Sequence, residues 1–99
     1  MNASEKLNVL KDVYRDDASL DRVLGKLLET TLSDYVLRRK RQEQLLAEFE
    51  KRYAMKSDIF YHRFEAGELG DEMDFFEWSG LYELYQDLSS KIHRLEQAV

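Results

Sequence analysis

From Trp78 to the end of the chain, apolar side chains recur at alternating spacings of three and four: Trp78, Leu81, Tyr85, Leu88, Ile92, Leu95 and Val99. This is the a/d pattern of one helix lying along another, since a strand would instead need a period of two. A second helix must therefore exist to receive the seam. The chain has no proline and four glycines among its 99 residues, too few turn signals for a β sandwich or barrel. The expected fold class is all-α, in one small domain.

The receiving helix stands upstream. Leu20, Leu24, Leu27, Leu28, Thr31, Leu32 and Tyr35 keep helical spacing, and the pattern resumes at Leu45, Leu46, Phe49 and Tyr53. The spacing predicts one long helix over 19–54, about 50 Å at roughly 1.5 Å per residue. Between residues 37 and 45 its inward positions fall on Arg38 or Arg39 and then on Gln42, which predicts a weakly packed waist. Ahead of this helix, Leu7, Leu10 and Tyr14 behind a Ser4 cap predict a short amphipathic segment over 4–15, and Asp16, Asp17 and Ser19 restart the chain. Behind it, Ser57 and Asp58 are expected to cap a short helix over 58–66, carrying Ile59, Phe60 and Phe64 and stopped by a left-handed Gly67. Residues 68–71 then turn a tight corner around Gly70. The return helix is expected over 72–98, with Gly80 on its outer side at a cost of roughly 1 kcal/mol against alanine. Together these elements predict an antiparallel helical hairpin, coiled-coil-like, with the short helix at the bend.

Two helices cannot cover the apolar surface this sequence carries. Off the seam, the return helix bears Met73, Phe75, Phe76, Tyr82 and Leu84, and each aromatic left in water forfeits roughly 1.5–3 kcal/mol of burial. The leucines of 20–32 also extend beyond the reach of a shorter return helix. A homodimer through the long helices and a docked protein partner are the expected covers.

Charge distribution bears on the partner's character. The net charge of −5 is uneven, because residues 1–63 hold 13 Lys and Arg against 11 Asp and Glu, whereas 64–99 hold 2 against 9. Within 64–90 there is no basic residue and there are eight acids: Glu65, Glu68, Asp71, Glu72, Asp74, Glu77, Glu83 and Asp87. Aromatics off the seam and bordered by acids describe a protein-binding hot spot better than a core, and an acidic rim favours a basic partner. The candidate partner-binding residues are Phe75, Phe76, Trp78, Tyr82, Asp71, Asp74 and Glu77. For Trp78, as for Tyr85, the seam position argues first for a core role.

Other chemistries find little footing. Asp71, Asp74 and Glu77 can share a helical face and offer oxygens to a divalent cation, but acids are also what a helix N-terminus prefers, so no metal is expected. The chain has no cysteine, and its two histidines, His62 and His93, lie outside any metal-binding spacing. With no glycine-rich phosphate loop and no Ser-His-Asp order, neither catalysis nor a cofactor is expected. Arg38, Arg39, Lys40 and Arg41 are the possible nucleic-acid contacts. Four consecutive residues point nearly all round a helix, however, so a solvated waist beside Asp34 and Glu43 is the better reading. Nucleic acid is accordingly not an expected partner of the chain alone. No apolar run follows Met1 and no stretch suits a membrane span, so the expected address is cytoplasmic.

One stretch carries a resemblance: Phe49-Glu50-Lys51-Arg52-Tyr53-Ala54-Met55-Lys56-Ser57, then Phe60, then Phe64-Glu65-Ala66-Gly67-Glu68-Leu69-Gly70-Asp71, then Met73-Asp74-Phe75-Phe76-Glu77-Trp78. It resembles the YGM-x-x-x-x-F … GELGD-x-x-D-x-x-EW pattern of short helical prokaryotic antitoxins, akin to the TumA-type partner of a TumE-type toxin. The similarity covers about residues 49–85 and departs at Ala54, where such proteins usually have glycine; the expectation is that alanine lets the long helix run further. The resemblance implies a protein that binds and blocks a small cognate toxin. The alternatives are a homo-oligomeric structural coiled coil and a nucleic-acid-binding regulator acting through residues 38–41.

Overall fold

The computed structural model describes residues 1–15 and 17–99, with Asp17 described by its backbone alone. Among the described residues the chain forms four helices and no strand: α1 (Ala3–Tyr14), α2 (Asp17–Tyr53), α3 (Ser57–Glu65) and α4 (Met73–Ala98). The restart expected at Asp16 and the Asp17 side chain lies outside the described residues.

The helix ends show which local signals prevail. α1 is capped by Asn2 rather than Ser4, because the Asn2 Oδ1 accepts the Glu5 backbone N–H at 2.8 Å, three residues on. Its far end closes at Arg15, left-handed at φ 51°, whose N–H donates to the Lys11 carbonyl at 3.1 Å. α2 stops at Tyr53 instead of running on through Ala54. Ala54 is left-handed at φ 52°, and the Met55 N–H reaches back to the Glu50 carbonyl at 3.3 Å, the six-to-one bond of a Schellman stop. Met55 then packs against the core, so burial beyond the turn holds alanine in a conformation that costs an L-residue about 1–2 kcal/mol.

The end of α3 uses the same device with the residue suited to it. Gly67 is left-handed at φ 73° and the Glu68 N–H donates to the Arg63 carbonyl at 3.0 Å. At its start, Ser57 is the first helical residue rather than a side-chain cap; its N–H is taken by the Glu50 Oε2 at 2.7 Å, across the turn from α2. Gly70 has no left-handed φ and no neighbour within 4 Å of a Cβ built there. The link between α3 and α4 bends at Leu69, and it does not depend on glycine at position 70.

Packing is concentrated at one end. Leu46 and Phe49 of α2, Phe60 of α3 and Trp78 of α4 form a buried cluster, with Tyr53, Met55, Tyr61, Phe64, Leu69, Phe75, Leu81, Tyr82 and Tyr85 packed around it. The Trp78 indole lies on Phe60 with ring centroids 3.7 Å apart and planes within 5°. Phe49 and Tyr53 stack on it at 5.6 and 5.7 Å. Its Nε1–H donates to the Ser57 Oγ at 3.0 Å, which satisfies the polar atom that makes a buried tryptophan costly.

Away from this cluster, Leu88 and Ile92 of α4 are buried, and Leu28, Thr31 and Tyr35 of α2 share a groove of about 350 Å³ with Lys91, Arg94, Leu95 and Ala98. Contacts between α2 and α4 thus extend from Arg52 beside Asp74 at one end to Leu28 beside Ala98 at the other. The first part of α2 extends beyond that groove and is met by α1. The result is a rod of 58 × 24 × 18 Å with a radius of gyration of 19.3 Å, where a compact chain of this length would give about 13 Å.

The waist of α2 stays helical throughout. Leu37 is exposed, while Gln42 turns partly inward with its Oε1 buried and lacking a hydrogen-bond partner.

Candidate functional site

The residues singled out by the sequence divide into two groups once the helices are packed. Trp78 faces α2 and α3 and is fully buried at 0% exposure, so the folded chain cannot offer it to a partner. Phe75 is half-buried: Tyr53 meets it edge-on at 5.2 Å, with Phe60 at 5.6 Å and Phe64 at 6.4 Å. Tyr82 is half-buried as well, 5.0 Å from Tyr61 and 6.2 Å from Tyr85. Loss of hydration, then the charge of Asp58, pushes its phenol above the ordinary tyrosine range. Trp78 is thus a core residue, while Phe75 and Tyr82 pack against the core with part of their surface still exposed. The cause is α3, which packs across the α2–α4 seam and covers positions that a two-helix seam would leave open.

Asp74 is likewise turned to internal use. Its Oδ2 accepts from the Tyr53 Oη at 2.6 Å and from the Arg52 Nη1 at 2.8 Å. The bond from Tyr53 and then that from Arg52 hold its carboxyl below the usual aspartate range, while Asp74 raises both partners. Asp74 therefore ties the end of α2 to the start of α4 and is not spare for a cation. Among the described residues no three acidic or histidine side chains are placed to share a metal ion. Nearby, the Tyr61 Oη donates to the Glu83 Oε1 at 2.8 Å, and chiefly this bond pushes the Tyr61 phenol up to about 12.

Phe76, Asp71 and Glu77 face solvent. Phe76 is 55% exposed, with one edge against Phe64 at 5.4 Å. Beside it stands Met73 at 82% exposure, and one turn past Gly80 comes Leu84 at 45%. Met73 and Leu84 belong to this surface although their residue types are not the usual anchors. Their signal in the sequence is the spacing of Met73, Phe76, Gly80 and Leu84 at three, four and four, a second stripe on the return helix. Asp71, Glu72 and Glu77 have no ion-pair partner among the described residues, whereas Glu68 is met by Arg63 at 3.3 Å and Asp87 by Lys91 at 3.0 Å. An apolar row edged with free carboxylates can bind a surface of opposite character without chemistry of its own.

The basic run behaves as a helix surface. Arg38 pairs with Asp34 at 3.0 Å and lies over the Tyr35 ring at 5.2 Å, Arg39 approaches Glu43 at 3.7 Å, and Lys40 and Arg41 are exposed. His62 and His93 are exposed on separate helices.

A second uncovered region lies at the other end of the rod. α1 buries none of its residues, and Val13 and Leu27 are 71% and 60% exposed. Among the described residues no helix is long and apolar enough to cross a membrane. The chain matches no family model, no curated protein and no solved structure.

Proposed function

We propose that this chain is a non-catalytic binding protein of the antitoxin type, which holds and blocks a small basic toxin in the cytoplasm. In this reading α2 and α4 form an antiparallel hairpin, and two copies join through α1 and the first part of α2. The observation that carries the proposal is the outward row on α4: large apolar side chains held on a well-packed helix, edged by Asp71, Glu72 and Glu77 and left in water. Exposed apolar surface of this kind weakens a free protein's solubility and gains its value when a partner covers it. Carboxylates around it would stand where phosphates stand if the toxin's covered surface faces RNA.

The second copy has support of its own. A helix of 12 residues is marginal in water by itself, and α1 has no buried residue to hold it. The first two helices carry charges of both signs in similar number, so like surfaces can meet there without the repulsion that the acidic C-terminal half would bring.

The deciding experiment is co-expression with the product of the adjacent reading frame. A small basic protein, toxic alone and tolerated with this chain, is the expected result; an adjacent product that is harmless, or as harmful with this chain as without it, would refute the reading. With the pair in hand, charge reversal at Asp71 and Glu77 should weaken binding and flatten its salt dependence. Reversal at Asp74 should instead loosen the chain's own fold.

A further inference from the structure

The outward row on α4 has a shape as well as a charge. At about 100° per residue, Gly80 lies roughly 200° around the helix from buried Trp78, and Met73, Phe76 and Leu84 fall within about 40° of it on either side. A Cβ built at Gly80 would meet nothing within 4 Å, so the chain's own packing does not call for glycine there. Glycine in the interior of a helix weakens it, and its use is to let another backbone come close. The four positions span about three turns of helix, with apolar side chains before and after the gap.

Charge selects the occupant. Glu77 and Glu83 edge the row and Asp71 and Glu72 stand at its N-terminal end, while Asp87, beyond Leu84, is paired with Lys91. A second copy presenting this same face would bring these acids against their own kind. A helix with an apolar stripe bordered by Lys and Arg would meet them with opposite charge. We propose that the outer face of α4 is a seat for a basic amphipathic helix of the partner protein, with Gly80 at the point of closest approach. The inference rests on the reading that this chain works by holding a partner.

The test uses the full-length chain and a synthetic peptide of about 18 residues, five helical turns, with leucines on one face and lysines on the other. Binding is followed by fluorescence anisotropy. Gly80→Leu should raise the melting temperature and weaken peptide binding at least about tenfold, and the pair Met73→Ser with Phe76→Ser should weaken it similarly with the fold intact by circular dichroism. A scrambled peptide of the same composition should bind about tenfold more weakly than the amphipathic one. Equal binding by the scrambled peptide, or by Gly80→Leu, overturns the seat, as does a loss of self-association in Gly80→Leu, which would make a second copy the occupant. The two readings fail separately. Should Gly80→Leu neutralise the adjacent product as well as wild type does, the seat is refuted and the antitoxin reading stands; peptide results as expected beside an adjacent product that is harmless leave the seat and remove the antitoxin.

Discussion

The two ends of the rod are built from the same long helix and are covered very differently. At the C-terminal end of α2, three helices converge, three aromatic rings stack on Trp78, and the indole N–H finds the Ser57 hydroxyl. Toward its N-terminus the same helix meets only α1 among the described helices, and Leu20 is the buried residue of that region. Helical periodicity makes a helix in both places, but stability comes from what lies against it. A third element at the bend turns one end into a core, and its absence at the other leaves a leucine face looking for cover.

The largest effect expected from this contrast is at Trp78. Trp78→Ala should destabilise the chain by about 3–5 kcal/mol, seen as a large drop in the urea midpoint, whereas Leu27→Ser in dilute solution should change it by less than about 0.5 kcal/mol. Comparable losses would mean that the N-terminal end has a core of its own.

Next comes the tie between α2 and α4. Folding lowers the Asp74 pKa, so its ionised form favours the folded state: the contribution is complete above the ordinary aspartate value of about 3.9 and is lost as the pH falls through the lower, folded value. Asp74→Asn should be less stable than wild type at neutral pH, and the gap between them should close in acid. A gap independent of pH would show that the tie contributes nothing through charge.

A smaller change, of the opposite sign, is expected at the turn after α2. Ala54→Gly should stabilise the chain by about 1 kcal/mol, because glycine removes the left-handed penalty that Ala54 bears at φ 52°. The smallest expected effect is spectroscopic. On alkaline titration followed by tyrosinate absorbance, one tyrosine should ionise near 12, and Tyr61→Phe should remove that step.

Much of the architecture was legible in the sequence, and its gaps have a common physical cause. The seam from Trp78 to Leu95 could be read because period and residue type agree at each position, and Trp78, Leu88 and Ile92 are buried as that seam requires. The caps were harder, since several local candidates compete: Asn2 and Ser4 both suit the start of α1, and geometry chooses Asn2. The Glu50 carboxylate at the start of α3 comes from another helix, which no local pattern displays. Ala54 was misread because its conformation is set by Met55 docking beyond it. Phe75, Tyr82 and Asp74 were read as outward because the helix was treated as half of a pair. Asp74 lies one turn before Trp78 on the same face, so its inward position was available from spacing alone; the coverage of Phe75 and Tyr82 needed the position of α3. The row of Met73, Phe76, Gly80 and Leu84 was available from spacing too, but the aromatic-rich face drew the assignment away from it.

One end of the rod is covered by three converging helices and the other is left largely open, and amide hydrogen exchange at two protein concentrations tests directly whether a second copy covers the open end, as proposed. In dilute solution the amides of α1 and of the first part of α2 should exchange fast while those around Phe49, Phe60 and Trp78 stay protected, and at high concentration the N-terminal amides should slow markedly. Strong protection of α1 and early α2 at the lowest concentration, in a chain of monomeric mass, would contradict that proposal.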